Sequence, residues 1–288
     1  MDPAQKPPNK ILTKVLIPAI FIVVIISTIM AFFVFQTNSK PKTNNSVKVS
    51  TLSSNQVNSN ESSVSSPSWS WSGSAWMASD TPPTCSTPLL TDLPVDINKV
   101  TSILYPGQTR GGDYKAHGGF RFGTDNNIAV TAPLEANLVE GSRYIESGEV
   151  QYLFTLINSC GIAYRLDHLH TLSEKFQQVA NQLPDAKVDD SRTTPFKPPI
   201  EVKKGELIAT KIGFANTKNV GVDFGVYDLR APNTASKNAS FAAAHENFKQ
   251  YIFYGVCWLK ELPADISQKV LALPGGDFVN GKTSDYCK

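Results

Sequence analysis

Short apolar stretches separated by turn residues dominate the chain between residues 98 and 170. Asn137–Tyr144 and Val150–Asn158 predict a pair of strands around Glu146, Ser147 and Gly148, and apolar and polar positions alternate in part over Ile162–Leu166. Further strands are predicted over residues 127–131, 161–169, 207–212 and 220–228. Strands and turns at this spacing are typical of an all-β sandwich or barrel.

Helical spacing of apolar residues is confined to fewer segments. Leu172, Phe176 and Val179 fall on one face of a helix predicted over residues 172–182. Residues 239–262 predict mainly helix, and Asp265 is the predicted N-cap of a short helix that ends at Leu273. The remaining segments, residues 185–199 and 275–288, predict an inserted loop and a C-terminal loop.

A long uncharged apolar run lies near the N-terminus. Residues 15–35 would span about 30 Å as a helix, the thickness of a bilayer core, which predicts a transmembrane signal-anchor. Lys6, Lys10 and Lys14 precede the run, so residues 1–14 are predicted to form a cytoplasmic tail. A cleaved signal peptide is the alternative, but it usually has a shorter apolar region that leads to a small-residue cleavage site.

Residues 36–84 are rich in Ser, Asn, Thr and Pro, and they predict a flexible linker because they offer little apolar surface for a core. Trp69, Trp71 and Trp76 interrupt this composition. They could contact the membrane interface, a polysaccharide or the folded domain. The predicted folded part comprises a β domain over residues 85–232 and a helical, disulfide-closed appendix over residues 233–288.

Composition and cysteine content limit the function classes. Hydrophobic residues make up 41% of the 288 residues, charged residues 18%, and the net charge is +2, so bulk nucleic-acid binding is not expected. All four cysteines follow the predicted anchor. A pairing of Cys257 with Cys287 would tie down the C-terminus and leave Cys85 with Cys160, as expected in an oxidising compartment. Buried free thiols are the alternative.

Histidines and one carboxylate are the candidate functional groups. His117 lies among glycines beside a predicted strand, although a single histidine is more often structural than a ligand. His168 and His170 lie two apart on a predicted strand, so they are expected to share a face. Asp223 lies inside an apolar strand and needs a partner, because burial of an unpaired charge is unfavourable.

Four sequence motifs occur in an order that is more specific than any one of them. They are His117-Gly118-Gly119-Phe120-Arg121, Val130-Thr131-Ala132-Pro133, Tyr164-Arg165-Leu166-Asp167-His168-Leu169 and Val202-Lys203-Lys204-Gly205-Glu206-Leu207-Ile208-Ala209. Together they resemble the lysostaphin/LytM-type zinc endopeptidases, which cut peptidoglycan cross-bridges, over roughly Leu104 to Leu229. The resemblance implies a mainly β fold of the LytM-like sandwich or hybrid-barrel type.

The departures from the family pattern bear on catalysis. The family binds zinc through His-x-x-x-Asp and the second His of a His-x-His motif. Here Arg121 stands at the Asp position and Gly221-Val222-Asp223 at the His-x-His position, while His117 and His168 remain. A catalytic zinc needs three protein ligands and a bound water. The resemblance therefore implies a groove of His117, Arg121, His168 and Asp223 with no catalytic residue and no cofactor.

Two arrangements of the substituted residues are expected. Arg121 and Asp223 could form an ion pair where the zinc would lie, because the planar guanidinium matches a carboxylate. Alternatively, Arg121 points to solvent and Asp223 pairs with His117 or a backbone amide.

The expected function is that of a membrane-anchored extracytoplasmic domain that binds rather than cuts. Its expected partners are a peptidoglycan or cell-wall fragment or an envelope protein, as in degenerate relatives that regulate wall hydrolases, and not nucleic acid. One alternative is an active metallopeptidase, a peptidoglycan hydrolase in which zinc is held by His117, Asp223 and either Asp125 or His168. A carrier domain of the biotinyl or lipoyl kind is a third hypothesis, but no lysine suited to modification is evident.

Overall fold

Strands predominate in the computed structural model, which describes residues 66–217 and 219–288. The strands are β1 (Trp69–Trp71), β2 (Trp76–Ala78), β3 (Ser102–Leu104), β4 (Gln108–Arg110), β5 (Asp113–Lys115), β6 (Gly118–Arg121), β7 (Val130–Thr131), β8 (Ala136–Glu146), β9 (Glu149–Ile157), β10 (Ile162–Leu172), β11 (Lys187–Val188), β12 (Thr194–Val202), β13 (Leu207–Ile212) and β14 (Gly221–Asp228). The α-helices are α1 (Glu174–Ala180), α2 (Ala239–Ala244), α3 (Lys249–Ile252) and α4 (Ala264–Ala272). The prediction of a mainly β fold with short C-terminal helices is confirmed.

The predicted cytoplasmic tail, the predicted transmembrane segment and the linker up to residue 65 lie outside the described residues. Within residues 66–217 and 219–288, no helix has both the length and the apolar character needed to cross a membrane.

One ten-stranded sheet forms the body of the structure. Its main strand order is β11-β8-β9-β10-β14-β6-β3, while β12 pairs with β8, and β13 pairs with both β10 and β7. The predicted hairpin is confirmed as β8 and β9, and its turn residues Ser147 and Gly148 have φ values of 52° and 78°. The order places β10, β14 and β6 side by side, and these strands carry or adjoin the candidate site residues.

Two local predictions are wrong, and a third is confirmed in a more broken form. Residues 185–199 are not only a loop, because β12 begins at Thr194 and pairs antiparallel with β8. Residues 239–262 are mainly helical as predicted, in the form of the short helices α2 and α3 with 3-10 turns. Asp265 lies in the first turn of α4, and Pro263 occupies the N-cap position because its ψ of 143° is not helical and the helix begins at the next residue.

The C-terminal appendix shares the core of the β domain. Trp258 is fully buried, and its ring lies 5.0 Å from that of Phe120 on β6 and 5.2 Å from that of Phe224 on β14. Disulfides join Cys257 to Cys287 and Cys85 to Cys160, so the predicted pairing of all four cysteines is confirmed. The appendix is therefore attached to the β domain by packing, while the Cys257–Cys287 disulfide closes the appendix on itself.

The tryptophan-rich segment forms a hairpin, β1 with β2, that packs on the domain. Trp69 Nε1 donates to the carbonyl of Ser159 at 3.2 Å, and Trp76 Nε1 donates to that of Gln250 at 2.8 Å. Of the three contacts left open for these tryptophans, the one with the folded domain is confirmed. The prediction of a flexible linker up to residue 84 is wrong for residues 69–78, because indole burial and hydrogen bonding hold this hairpin in place.

Candidate functional site

All four residues of the predicted groove line one open cleft of about 800 Å³. Two adjacent strands form part of its wall: β6 carries Arg121 and follows His117 directly, and β14 carries Asp223. In the antiparallel register, Asp223 lies opposite Gly119 and Gly221 lies opposite Arg121. The pairing of these strands therefore brings together residues that are far apart in the sequence.

Asp223 lies between two histidines. His117 Nε2 is 2.9 Å from Asp223 Oδ2, and His168 Nε2 is 3.7 Å from the same oxygen. The side chains of His117, His168 and Asp223 are 18%, 21% and 20% exposed. Asp223 thus has the partner that its position in an apolar strand requires.

The backbone of His168 departs from regular strand geometry. His168 has a φ of 61°, and the pairing of β10 with β9 shifts register between Leu166 and Leu169. This irregularity interrupts the alternation of side chains along β10. His170, which was expected to share a face with His168, does not line the cleft and instead pairs with Glu149 at 3.0 Å.

Three polar residues that the sequence analysis missed surround His168. Tyr144 donates its hydroxyl to Asp167 Oδ1 at 2.6 Å, and the same oxygen accepts the backbone N–H of His168 at 2.8 Å. The Tyr144 hydroxyl is also 3.3 Å from His168 Nδ1, and Glu146 Oε2 is 3.9 Å from that nitrogen. Sequence proximity to His168 could have indicated Asp167, but no local signal pointed to Tyr144 or Glu146.

The carboxylates shift the pKa of His168 upward. Burial alone would lower the pKa of His168, but the negative charges of Asp167, Asp223 and Glu146 outweigh burial and raise it. Asp223 shows the reverse balance. Burial would raise the pKa of Asp223, but His117, His168 and Arg110 hold it well below its usual range. The cluster therefore favours a carboxylate beside a charged His168.

The predicted ion pair between Arg121 and Asp223 is not formed among the described residues, since no nitrogen of Arg121 lies within the 4.0 Å limit of the Asp223 carboxylate. Arg121 instead donates from a terminal guanidinium nitrogen to Asn219 Oδ1. Gly221 leaves room for the Arg121 side chain to reach Asn219, because a Cβ built at Gly221 would lie 3.3 Å from Arg121 Cδ. The Arg121 side chain therefore passes over Gly221, and the Asp223 carboxylate pairs with His117 and His168 instead.

A second arginine, also missed from the sequence, supports the backbone at His117. Arg110 donates to the carbonyl oxygens of Tyr105 at 2.7 Å and His117 at 2.9 Å. Burial lowers the pKa of Arg110 despite the opposing effects of Asp223 and Asp277. The Arg110 guanidinium thus stabilises the backbone that leads into β6.

The C-terminal segment forms one wall of the cleft. The carbonyl of Pro274 accepts from Ile103 N at 2.9 Å, and Gly276 N donates to the carbonyl of Ile103 at 2.7 Å, so this segment covers the edge strand β3. Asp277, Phe278 and Val279 follow and line the cleft. The sequence analysis assigned no role to this segment because its residues lie outside the family motifs.

The described residues do not offer the three-ligand set that a catalytic zinc requires. Within residues 66–217 and 219–288, no group of three or more His, Cys, Asp and Glu side chains is arranged to hold a metal ion. His117 Nε2 and Asp223 Oδ2, the predicted ligand pair, are at hydrogen-bond distance from each other. Asp125 is a turn residue that accepts from Asn127 N at 3.0 Å and does not line the cleft.

The chain matches no protein-family model, no curated protein and no solved structure.

Proposed function

We propose that this protein is a membrane-anchored extracytoplasmic binding protein that holds a cell-wall peptide or an envelope protein in its cleft without cleaving it. The observation that carries the proposal is the pairing of His117 with Asp223 in a cleft where Arg121 replaces a ligand of the family's zinc. The groups that would bind metal in a peptidase here bind each other.

The placement of the motifs supports a LytM-like domain. His117 adjoins β6, His168 lies on β10 and Asp223 lies on β14, and these three strands are neighbours in the order β10-β14-β6. Motifs separated by many residues therefore meet at one cleft, as the resemblance requires. We propose on this basis that the ten-stranded sheet is a sandwich or hybrid barrel of the LytM-like type.

The two disulfides support an extracytoplasmic location. Disulfides persist in oxidising compartments and are rare in the cytosol, where thiols are kept reduced. The apolar run over residues 15–35, with lysines before it, would anchor the chain with its N-terminus in the cytoplasm. The domain and its cleft would then face the cell envelope.

Co-sedimentation with purified peptidoglycan sacculi tests this function. The full chain in detergent is expected to sediment with sacculi and to release no soluble fragments. Asp223→Asn is expected to weaken sedimentation because it disturbs the cleft. Asp228→Asn is the matched control: Asp228 ends the same strand, pairs with Arg230 at 2.7 Å and does not line the cleft.

Two outcomes would contradict the proposal. Equal sedimentation of both variants would place binding outside the cleft. If the wild-type chain released soluble wall fragments and Asp223→Asn did not, the chain would be an active metallopeptidase. Near-ultraviolet circular dichroism of each variant checks that the tertiary structure is retained.

A further inference from the structure

The acidic groups of the cleft are engaged within the protein. Asp223 faces two histidines, and Glu146 lies 3.9 Å from His168. Asp277 accepts from the backbone N–H groups of Val279 at 2.7 Å and Asn280 at 3.1 Å, and from Asn280 Nδ2 at 3.2 Å. Asp223 and Asp277 therefore retain little capacity to attract a cationic ligand, and Glu146, which is 42% exposed, is the least engaged of the three carboxylates.

Two basic residues of the cleft retain donor capacity. In the part of the chain that the structure describes, the guanidinium of Arg121 has a single hydrogen-bond partner, Asn219, although a guanidinium carries five N–H donors. Lys115 lies 3.4 Å from Asp113, whose side chain is 77% exposed, and such surface pairs contribute little. The imbalance between engaged acids and available bases favours an anionic ligand group.

An apolar pair stands at the same cleft. Phe278 and Val279 are 105% and 91% exposed, yet their backbone is held by the turn around Asp277. The turn is tied down where Gly281 N donates to the carbonyl of Asp277 at 2.8 Å and Asn280 Nδ2 donates to the carbonyl of Thr109 at 2.8 Å. A fixed turn that presents two apolar side chains to solvent offers a contact surface for an apolar ligand group.

The basic and apolar features adjoin each other. A Cβ built at Gly276 would lie 3.3 Å from Arg121 Cγ, and Phe278 is two residues further along the chain. A ligand that uses both features must therefore carry its anionic and apolar groups close together. The last residue of a peptide does so, because its carboxylate and its side chain are attached to one Cα.

We infer that the cleft binds the C-terminal residue of a peptide, with the free carboxylate on Arg121, assisted by Lys115, and an apolar side chain on Phe278 and Val279. The inference rests on the proposed function for the choice of a peptide as the ligand. Arg121 would then do more than replace a metal ligand: it would provide the anion-binding group of a different recognition site.

Titration calorimetry on the full chain in detergent tests the ligand chemistry with matched peptides. Ac-Ala-Ala-Leu with a free carboxylate is expected to bind about tenfold or more tightly than its C-terminal amide, because a charge-assisted pair is lost in the amide. Ac-Ala-Ala-Ser is expected to bind more weakly than the leucine peptide. Equal affinity for the acid and the amide, or no binding of the acid, would overturn the inference.

Variants separate the two contacts. Arg121→Gln is expected to abolish the preference for the acid over the amide, while the preference for leucine over serine remains. Phe278→Ser is expected to abolish the preference for leucine over serine while the preference for the acid remains. The variant is expected to fold as the wild type, because Phe278 is fully exposed. Arg192→Gln is the control, because this arginine is 85% exposed and does not line the cleft.

The two proposals fail in different ways. If sacculi sediment the chain but the acid and amide peptides bind alike, the inference about the carboxylate is wrong and the proposed function stands. If the peptide acid binds as expected but sacculi do not, the wall assignment is wrong and the ligand chemistry stands. A third outcome is that the leucine and serine peptides bind with equal affinity and that inorganic phosphate displaces both equally well. The cleft would then recognise an anion alone, and the apolar contact would be refuted.

Discussion

His117 and Asp223 bind each other across neighbouring strands, with His117 Nε2 at 2.9 Å from Asp223 Oδ2. Under the proposed LytM-like assignment, groups at these positions would bind zinc. Here the carboxylate is shared with His168, and Arg121 is directed to Asn219. The pair therefore stabilises the cleft itself, and several consequences for stability and titration can be measured.

Removal of the Asp223 charge should destabilise the fold. Asp223→Asn is expected to lower the free energy of unfolding by about 2 kcal/mol, because the two histidines lose a charged partner in a site that is only partly exposed. Asp228→Asn, which removes a more exposed pair with Arg230, should cost at most about 1 kcal/mol. Urea denaturation of the full chain in detergent measures both, and equal effects would contradict this role of Asp223.

His168 should titrate above its ordinary pKa of 6.5. Because the folded-state pKa is raised, protonation of His168 contributes stability fully below about pH 6.5, and this contribution is lost as the pH rises through the folded-state pKa. The NMR titration of the His168 ring signals measures the shift. Glu146→Gln should move the pKa of His168 downward. A His168 pKa at or below 6.5 in the wild-type chain would refute the proposed charge balance.

Two glycines with positive φ allow a matched test of the tryptophan hairpin. Gly161 has a φ of 98°, and a Cβ built there would lie 2.5 Å from Trp69 Cζ2, whereas Gly148 has a φ of 78° and open space around it. Gly148→Ala should cost about 1–2 kcal/mol from backbone strain alone. Gly161→Ala should cost more, because the indole must move as well.

A double variant separates the two costs. In a Trp69→Ala background, the steric part of the Gly161→Ala effect should disappear and only the backbone part should remain. Thermal unfolding and limited proteolysis near residue 69 report on the fold and on the hairpin. An unchanged Gly161→Ala effect in this background would show that the hairpin does not pack on Gly161.

The disulfides should contribute to stability according to the loops that they close. The cysteines of the C-terminal disulfide are 30 residues apart, and replacement of both by alanine is expected to cost about 3.5 kcal/mol by loop entropy. The other pair is 75 residues apart, and its expected cost is about 4.5 kcal/mol. Urea unfolding of the two double variants tests the order, and a larger loss for the shorter loop would contradict it.

Local patterns predicted much of the sheet but not its long-range pairing. The β8–β9 hairpin follows from the strand segments on either side of the turn at Ser147 and Gly148, and β13 follows from its own short apolar stretch. β12 could not be predicted, because its polar, proline-containing sequence forms a strand only by pairing with β8. Tertiary pairing thus overrides a weak local preference.

The sequence analysis named four residues of the candidate site, but it missed the neighbouring Tyr144, Glu146, Asp167 and Arg110 and left the contacts open. Motif order indicated that His117, Arg121, His168 and Asp223 meet, and all four line one cleft. The sequence left open whether Asp223 pairs with Arg121 or with His117. The strand register and the space over Gly221 decide between them, and neither can be read from local sequence.

Zinc titration calorimetry on the full chain, with elemental analysis of the purified protein, tests the central claim most directly. The account predicts no binding at micromolar zinc, because His117 and Asp223 are engaged with each other and Arg121 stands at a ligand position. One tightly bound zinc per chain that is lost in Asp223→Ala, together with zinc-dependent peptidoglycan cleavage, would contradict it.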